Sequence, residues 1–249
     1  KLNGILPMLI SAKQLGFKKF IIPIENSMEA SYIDGIEVYA ISTLKDAVQF
    51  LKGEKQIENL AVKSFESALS ERTYKNDFAY VKGQASAKRA LEIAAAGGHN
   101  ILLIGPPDSG KTMLAKCFPS ILPDMTFEES LEVTKIHSVA GLIDSKKGIV
   151  VERPFRSPHH TATLIALTGG GTKAKPGEIS LAHNGVLFLD EMPEYARNTI
   201  ETLRQPMEDG YITVSRNANT VQYPANFILV ASMNPCPCGY YGNGTDQCK

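Results

Sequence analysis

Residues 105–112 read GPPDSGKT, a spacing of two glycines, a lysine and a hydroxyl residue that suits the binding of a polyphosphate. The apolar run Ile101 to Ile104 enters this loop, and TMLAKCF leaves it with helical character. A strand–loop–helix order aims successive backbone N–H groups and a helix N-terminus at one anion. Gly105, Pro106, Pro107, Asp108, Ser109 and Gly110 are the expected cradle for ATP, with Lys111 reaching the outer phosphates and Thr112 offering its hydroxyl to Mg²⁺. Asp108 is the discordant member, because a carboxylate a few ångströms from phosphate is repelled by ~1 kcal/mol when solvated. It stands at a variable position of the pattern, and aspartate tolerates left-handed backbone angles better than most residues other than glycine. The expectation is an intact site with weakened ATP affinity; a neutral surface substitution explains Asp108 equally well.

Two further strands end in residues that suit the same chemistry. GVLFLDE (185–191) carries Asp190 and Glu191 to the carboxyl end of an apolar run, where open α/β sheets place their ligands. Asp190 is expected to support Mg²⁺, and Glu191 to orient and activate the attacking water. NFILVASMN (226–234) ends in Asn234, whose amide suits holding that water and sensing the γ-phosphate, against a plainer reading as a turn residue before Pro235. Cys236, Cys238 and Cys248 supply three soft ligands in a C-x-C-x9-C spacing, with Cys117 set far from them. A tetrahedral Zn²⁺ needs a fourth ligand, expected from outside this chain, and reduced thiols in a loop are the competing reading. In RPFRSPHHT (153–161) the paired histidines, if adjacent on one strand, would face opposite ways, which favours a structural or interface role over metal. His99, His137 and His183 form no cluster in the sequence.

The elements that must position these residues follow from periodicity. Strands alternating with helices from about residue 77 onward indicate an α/β fold with a mainly parallel sheet. Before it, PMLISAKQLGF has helical spacing, KKFIIPI and GIEVYAI read as strands, and TLKDAVQFLKG as a helix, which together make a small α/β unit over 1–55. Residues 56–76 are polar with weak periodicity and read as a linker, partly helical. Ala85 to Ala96 form a strong helix that stops at Gly97-Gly98. The 249 residues balance 26 basic against 26 acidic side chains, so net charge suggests neither nucleic acid nor membrane. No run of 18 apolar residues and no signal peptide is present, and the expected setting is cytoplasmic, without a membrane partner. Both ends read as cut, so the chain is expected to be a fragment.

Longer strings carry a resemblance. DFAYVKGQASAKRALEIAAAGGHNILLIGPP, RPFRSPHHTATLIALTGGG, KPGEISLAHNGVLFLDEMPE, LRQPMEDG and ASMNPCPCGYYG are similar to segments of the Mg-chelatase-related AAA+ ATPases of the YifB/ComM type. The resemblance covers residues 77–249 and implies a P-loop AAA+ core, truncated before its lid. That family usually has glycine where this chain has Asp108. Val81 to Gln84 match the segment that contacts adenine in related ATPases, which makes Val81 and Gln84 expected nucleotide neighbours. Residues 1–53 resemble the last third of a Lon-protease-like domain, non-catalytic here because Leu6 falls near the position of a catalytic lysine in Lon. The family also implies a homo-hexameric ring and ATP-driven DNA remodelling of the helicase or branch-migration kind. The arginine finger and second sensor would follow the NPCPCG segment, so weak hydrolysis is expected of this chain alone. A protein-remodelling chelatase-like motor and a slow nucleotide-binding regulator are the alternatives.

Two stretches are expected to reach DNA in that reading. LTGGGTKAKPGEISLAHNG puts Lys173 and Lys175 in a glycine-rich loop, where contact with phosphates would be independent of sequence and sensitive to salt. GYITVSRNANTVQYP alternates as a β-hairpin, with Arg216 near its tip. An ordinary exposed loop and a purely structural hairpin are equally good accounts of these two stretches.

Overall fold

The computed structural model describes residues 1–171, 174–216, 219–239, 241 and 248, with Ser215, Arg216 and Asn219 described by backbone alone. Contacts divide the chain into two units, one of Lys1–Arg72 with Met125–Val151 and the other of Thr73–Asp124 with Glu152–Lys249. This cut differs from an expected division into 1–55, 56–76 and 77–249.

In the first unit the strands Lys19–Pro23 and Glu37–Ile41 pair in parallel, with Lys19 opposite Glu37 and Pro23 opposite Ile41. The helix Ile5–Gln14 buries Ile5, Leu6 and Leu9 in a cluster with Ile22, Ile33 and Val38. The helix Leu44–Leu51 starts at a capping box in which the Thr43 hydroxyl accepts from the Asp46 amide and the Asp46 carboxylate accepts from that of Thr43. Residues of the expected linker join this unit. The Leu60 amide donates to the Val38 carbonyl and that of Lys63 to Ser31, each at 2.9 Å, while Phe65, Ala68 and Leu69 pack against Tyr32, Ile149 and Val151. The segment FEESLEVTKIHSVA forms the helix Phe127–Ala140 behind a second capping box, Thr126 with Glu129. It belongs here because its Leu131 packs on the first unit's core and its Ser138 hydroxyl bonds the buried Glu29 carboxylate.

The second unit is built on four parallel strands in the order Ile101–Ile104, Ile228–Met233, Val186–Leu189 and Phe155–Arg156. Val186, Leu187, Phe188 and Leu189 are all buried, so this strand has apolar cover on both faces and no alternation. One face packs Phe118, Leu91 and Val81, and the other packs Leu167, Ile179 and Tyr195. The helix Ala85–Gly97 stops at Gly98, whose φ of 65° places it in the left-handed region that ends helices. The register decides what comes together: Ile104 lies opposite Met233, and Leu189 opposite Ala231. Three strand ends therefore open on the same edge, followed by Gly105, Asn234 and Asp190. Among the described residues no helix is long and apolar enough to cross a membrane.

Candidate nucleotide site

The loop 105–110 curls because two of its residues take left-handed angles, Asp108 at φ 58° and Gly110 at φ 85°. Alternation of this kind turns backbone N–H groups toward one concavity. A Cβ at Gly105 would stand 3.0 Å from the Ser109 hydroxyl, so a side chain there would press that hydroxyl aside. The helix Lys111–Cys117 continues directly from the loop. Asp108 thus meets the conformational demand that aspartate tolerates, and it does so at the loop's outer bend with an exposed side chain.

The Lys111 ammonium lies inside the curl. It donates to the carbonyls of Gly105 and Pro106, each at 2.7 Å, to the Ser109 hydroxyl at 3.4 Å, and to Asn234 Oδ1 at 3.2 Å. Those partners gather oxygen atoms around one cation, which is the arrangement that phosphate oxygens would exchange into. The Thr112 hydroxyl donates to Asp190 Oδ2 at 2.9 Å. A hydroxyl and a carboxylate at that separation are the pair that could hold a hydrated Mg²⁺. The second oxygen, Asp190 Oδ1, accepts from the Ser232 hydroxyl, and Ser232 Oγ in turn accepts from the Glu191 amide at 3.0 Å. Ser232 thereby fixes both acidic residues. Glu191 takes a left-handed φ of 52° as the strand ends, and its side chain is exposed. That turn aims Glu191 into a cleft of about 550 Å³ that is also lined by His160, Glu194, Met233, Asn234 and Cys236.

Lys111, Thr112, Asp190, Glu191 and Asn234 are thus brought to one place. Gln84, at φ 55°, reaches the loop through Nε2, which donates to the Ser109 carbonyl at 3.0 Å. The Val81 side chain is only 2% exposed and packs in the core. Lys173 lies outside the described residues. Lys175 is exposed on a short ribbon in which Gly170 pairs with Lys175 and Gly169 with Pro176. The expected hairpin forms, Tyr211–Arg216 against Asn219–Pro224, with Arg216 paired to Asn219. The Tyr223 hydroxyl donates to the Ala174 carbonyl at 2.8 Å and so joins hairpin and ribbon.

The histidine pair departs from expectation. The strand here is only Phe155–Arg156, so His159 and His160 leave the pleat and their rings meet at a tilt of 34° with centroids 4.1 Å apart. His160 also meets the Tyr195 ring edge-on at 6.4 Å. The arginines of this segment are structural: Arg153 donates to the carbonyls of Pro123 (2.6 Å) and Asn184 (2.8 Å), and Arg156 bridges Glu178 through two bonds of 2.6 and 2.7 Å. Tyr195 is a contributor the sequence reading missed. Burial first, and then the Asp190 charge, push its hydroxyl up to about 12, and it donates to the Pro158 carbonyl at 2.6 Å. Ser232 was missed as well, and its only sequence signal is a position two residues before Asn234. The three cysteine sulfurs lie within 4.8 Å of one another, and hydrogen bonding with Cys238, then Cys236, pushes the Cys248 thiol up to about 11.

A parallel sheet that delivers a phosphate loop, an Asp-Glu pair and an asparagine to one edge defines a P-loop ATPase of the AAA+ class. The sequence matches the family described as magnesium chelatase, subunit ChlI, over residues 77–249, and the chain belongs to that family. It is 46% identical over 243 residues to the competence protein ComM of Haemophilus influenzae, across 96% of this chain and 47% of that protein. It is also 46% identical over 231 residues to YifB, an uncharacterized protein of Escherichia coli K12, across 93% of this chain and 45% of that one. The chain spans about half the length of the curated relatives it matches. A cryo-EM-based structure of the complex between subunits BchI and BchD of magnesium chelatase shares the fold, with a TM-score of 0.52 and 22% identity over 66% of this chain and 56% of that chain.

Proposed function

We propose that this chain is the ATP-hydrolysing core of a DNA-remodelling motor that works as a homo-hexameric ring. The observation that carries the ATPase half is the joined cluster in which Lys111 meets Asn234 at 3.2 Å and Thr112 meets Asp190 at 2.9 Å. In this reading the loop amides and Lys111 hold the β- and γ-phosphates, while Thr112 and Asp190 hold Mg²⁺. Glu191 takes a proton from the attacking water, and Asn234 positions that water against the γ-phosphate. The DNA half is favoured by the similarity to a competence protein, with Lys175, exposed on its ribbon, and Arg216, beside the hairpin turn, as the residues that would meet phosphates. In the first unit, Leu6 is 1% exposed and sits in the apolar core, which supports a non-catalytic docking or assembly role. A protein-remodelling motor is the second reading, favoured by the shared fold with the complex of BchI and BchD, two subunits of magnesium chelatase.

The test is MgATP turnover by the full-length protein, with and without forked DNA, with Glu191→Gln as the blank. Turnover above the blank and raised severalfold by DNA is the expected result. Turnover indifferent to DNA transfers the assignment to a protein substrate. Turnover no higher than the blank, with nucleotide binding unaffected by Lys111→Ala, overturns the motor altogether.

A further inference from the structure

Two residues beyond Asn234 the chain makes a tight turn, Cys236-Pro237-Cys238-Gly239, closed by the Gly239 amide donating to the Cys236 carbonyl at 2.9 Å. Gly239 takes φ 82°, which a side chain rarely adopts. The turn puts Cys236 and Cys238 sulfurs 3.1 Å apart, and Cys248 returns to within 3.7 Å of Cys236. This is the one group of three or more metal-ligating side chains gathered in this way among the described residues. The Tyr241 amide donates to Cys236 Sγ at 3.3 Å, as an outer hydrogen bond does to a metal-bound sulfur.

The distances choose between the chemistries open to three thiols. A disulfide needs about 2.05 Å between sulfurs, well short of either separation. Thiolates roughly 2.3 Å from a tetrahedral ion stand about 3.8 Å apart. The pair at 3.7 Å already meets that spacing, and the pair at 3.1 Å needs only to open by a rotamer adjustment. Three thiolates on one side of an ion leave a fourth position for water or a further ligand.

The turn also lies against the phosphate loop. A Cβ on Gly239 would fall 2.7 Å from Pro107 Cδ, so the turn and the loop are in close contact. On the other side Asn234 Oδ1 holds the Lys111 ammonium. We propose that Cys236, Cys238 and Cys248 bind one thiophilic divalent ion, Zn²⁺ or its equal, and that the bound ion clamps residues 234–239 against the phosphate loop, so that metal loading sets nucleotide affinity. Binding replaces three S–H bonds by three S–metal bonds and releases the protons to solvent. The clamp rests on the nucleotide reading of the site, whereas the metal site itself does not.

The experiment uses the reduced, chelator-treated chain titrated with Co²⁺ and then displaced with Zn²⁺. One equivalent of Co²⁺ should give visible ligand-field bands with a thiolate charge-transfer band. The exposed Cys238, changed to serine, should weaken cobalt affinity at least tenfold without unfolding the chain. Alkylation followed by mass mapping, with Zn²⁺ alone as protectant, should shield Cys236, Cys238 and Cys248. Affinity for a fluorescent ATP analogue should fall at least threefold on metal removal and return with Zn²⁺, with no such response in Cys238→Ser. Absence of the charge-transfer band, indifference to Cys238→Ser, or a Cys236–Cys238 disulfide in the untreated protein overturns the metal site. Normal cobalt binding with unchanged analogue affinity overturns the clamp. Normal cobalt binding with no analogue binding in either state leaves the metal site standing and counts against the nucleotide reading.

Discussion

At the scale of single residues, Asp108 is the informative departure, because charge and backbone act on it separately. Its φ of 58° suits glycine, asparagine and aspartate, and its exposed carboxylate stands at the bend of the loop. Asp108→Asn removes the charge and keeps the tolerance for that angle, so it should tighten ATP binding about fivefold, the factor that ~1 kcal/mol represents. Asp108→Gly should tighten it by a similar factor. Calorimetric titration with ATP checks both, and equal affinity in all three proteins would show that the carboxylate is fully screened. The loop, Lys111, Thr112 and Asp190 were legible in the sequence because their chemistry is tied to short spacings along one strand–loop–helix unit. Ser232 was not, because its link to Asp190 depends on which strand lies beside which and in what register. The contact between the His159 and His160 rings was illegible for a related reason: two strand residues were too few to hold the pleat that would have separated them.

At the scale of elements, close approach of backbones sets the tolerances. The Val186 amide donates to the Pro154 carbonyl at 2.7 Å, and a Cβ on Gly185 would fall 2.2 Å from that same oxygen. Nothing there can move aside cheaply, since both partners are main chain. Gly185→Ala should therefore destabilise the second unit by about 3 kcal/mol, the upper end of the overpacking range. Gly210 offers the contrast, because its φ of 75° is strained for alanine but no atom lies within 4 Å of the added carbon. Gly210→Ala should cost only about 1 kcal/mol, so urea midpoints that fall equally in the two variants would contradict the steric account. Tyr195 supplies a test by pH. Its folded value, about 12, lies above its ordinary 10.0. Below pH 10 both folded and unfolded forms keep the proton. Between 10 and about 12 the unfolded chain sheds it first, so this contribution to stability is lost as pH rises through that window. Tyr195→Phe should lack that part of the alkaline loss while forfeiting about 1 kcal/mol at neutral pH from the bond to Pro158. Parallel urea curves at pH 9 and 11 compare the slopes.

At the scale of the whole molecule, contacts group segments that stand apart in the sequence. Residues 125–151 follow the phosphate-loop helix in sequence yet group with Lys1–Arg72, through long-range contacts such as the packing of Leu131 on that unit's core and the bond from Ser138 to Glu29. Assembly raises the last question. The strand Ile101–Ile104 lies at the sheet's edge and leaves Leu102 49% and Ile104 59% exposed, and the chain carries zero formal net charge. Apolar edge strands on a neutral chain associate without specificity, which could be mistaken for ring formation. The two can be separated by function. If the motor is a ring, turnover per chain should climb steeply with protein concentration, and Glu191→Gln chains mixed with wild type should depress turnover by more than their mole fraction. Leu102→Lys should reduce light scattering at high concentration while leaving both effects intact. Turnover that stays proportional to concentration and falls in step with the mixed-in fraction would mean that each chain works by itself, and the ring would then be excluded.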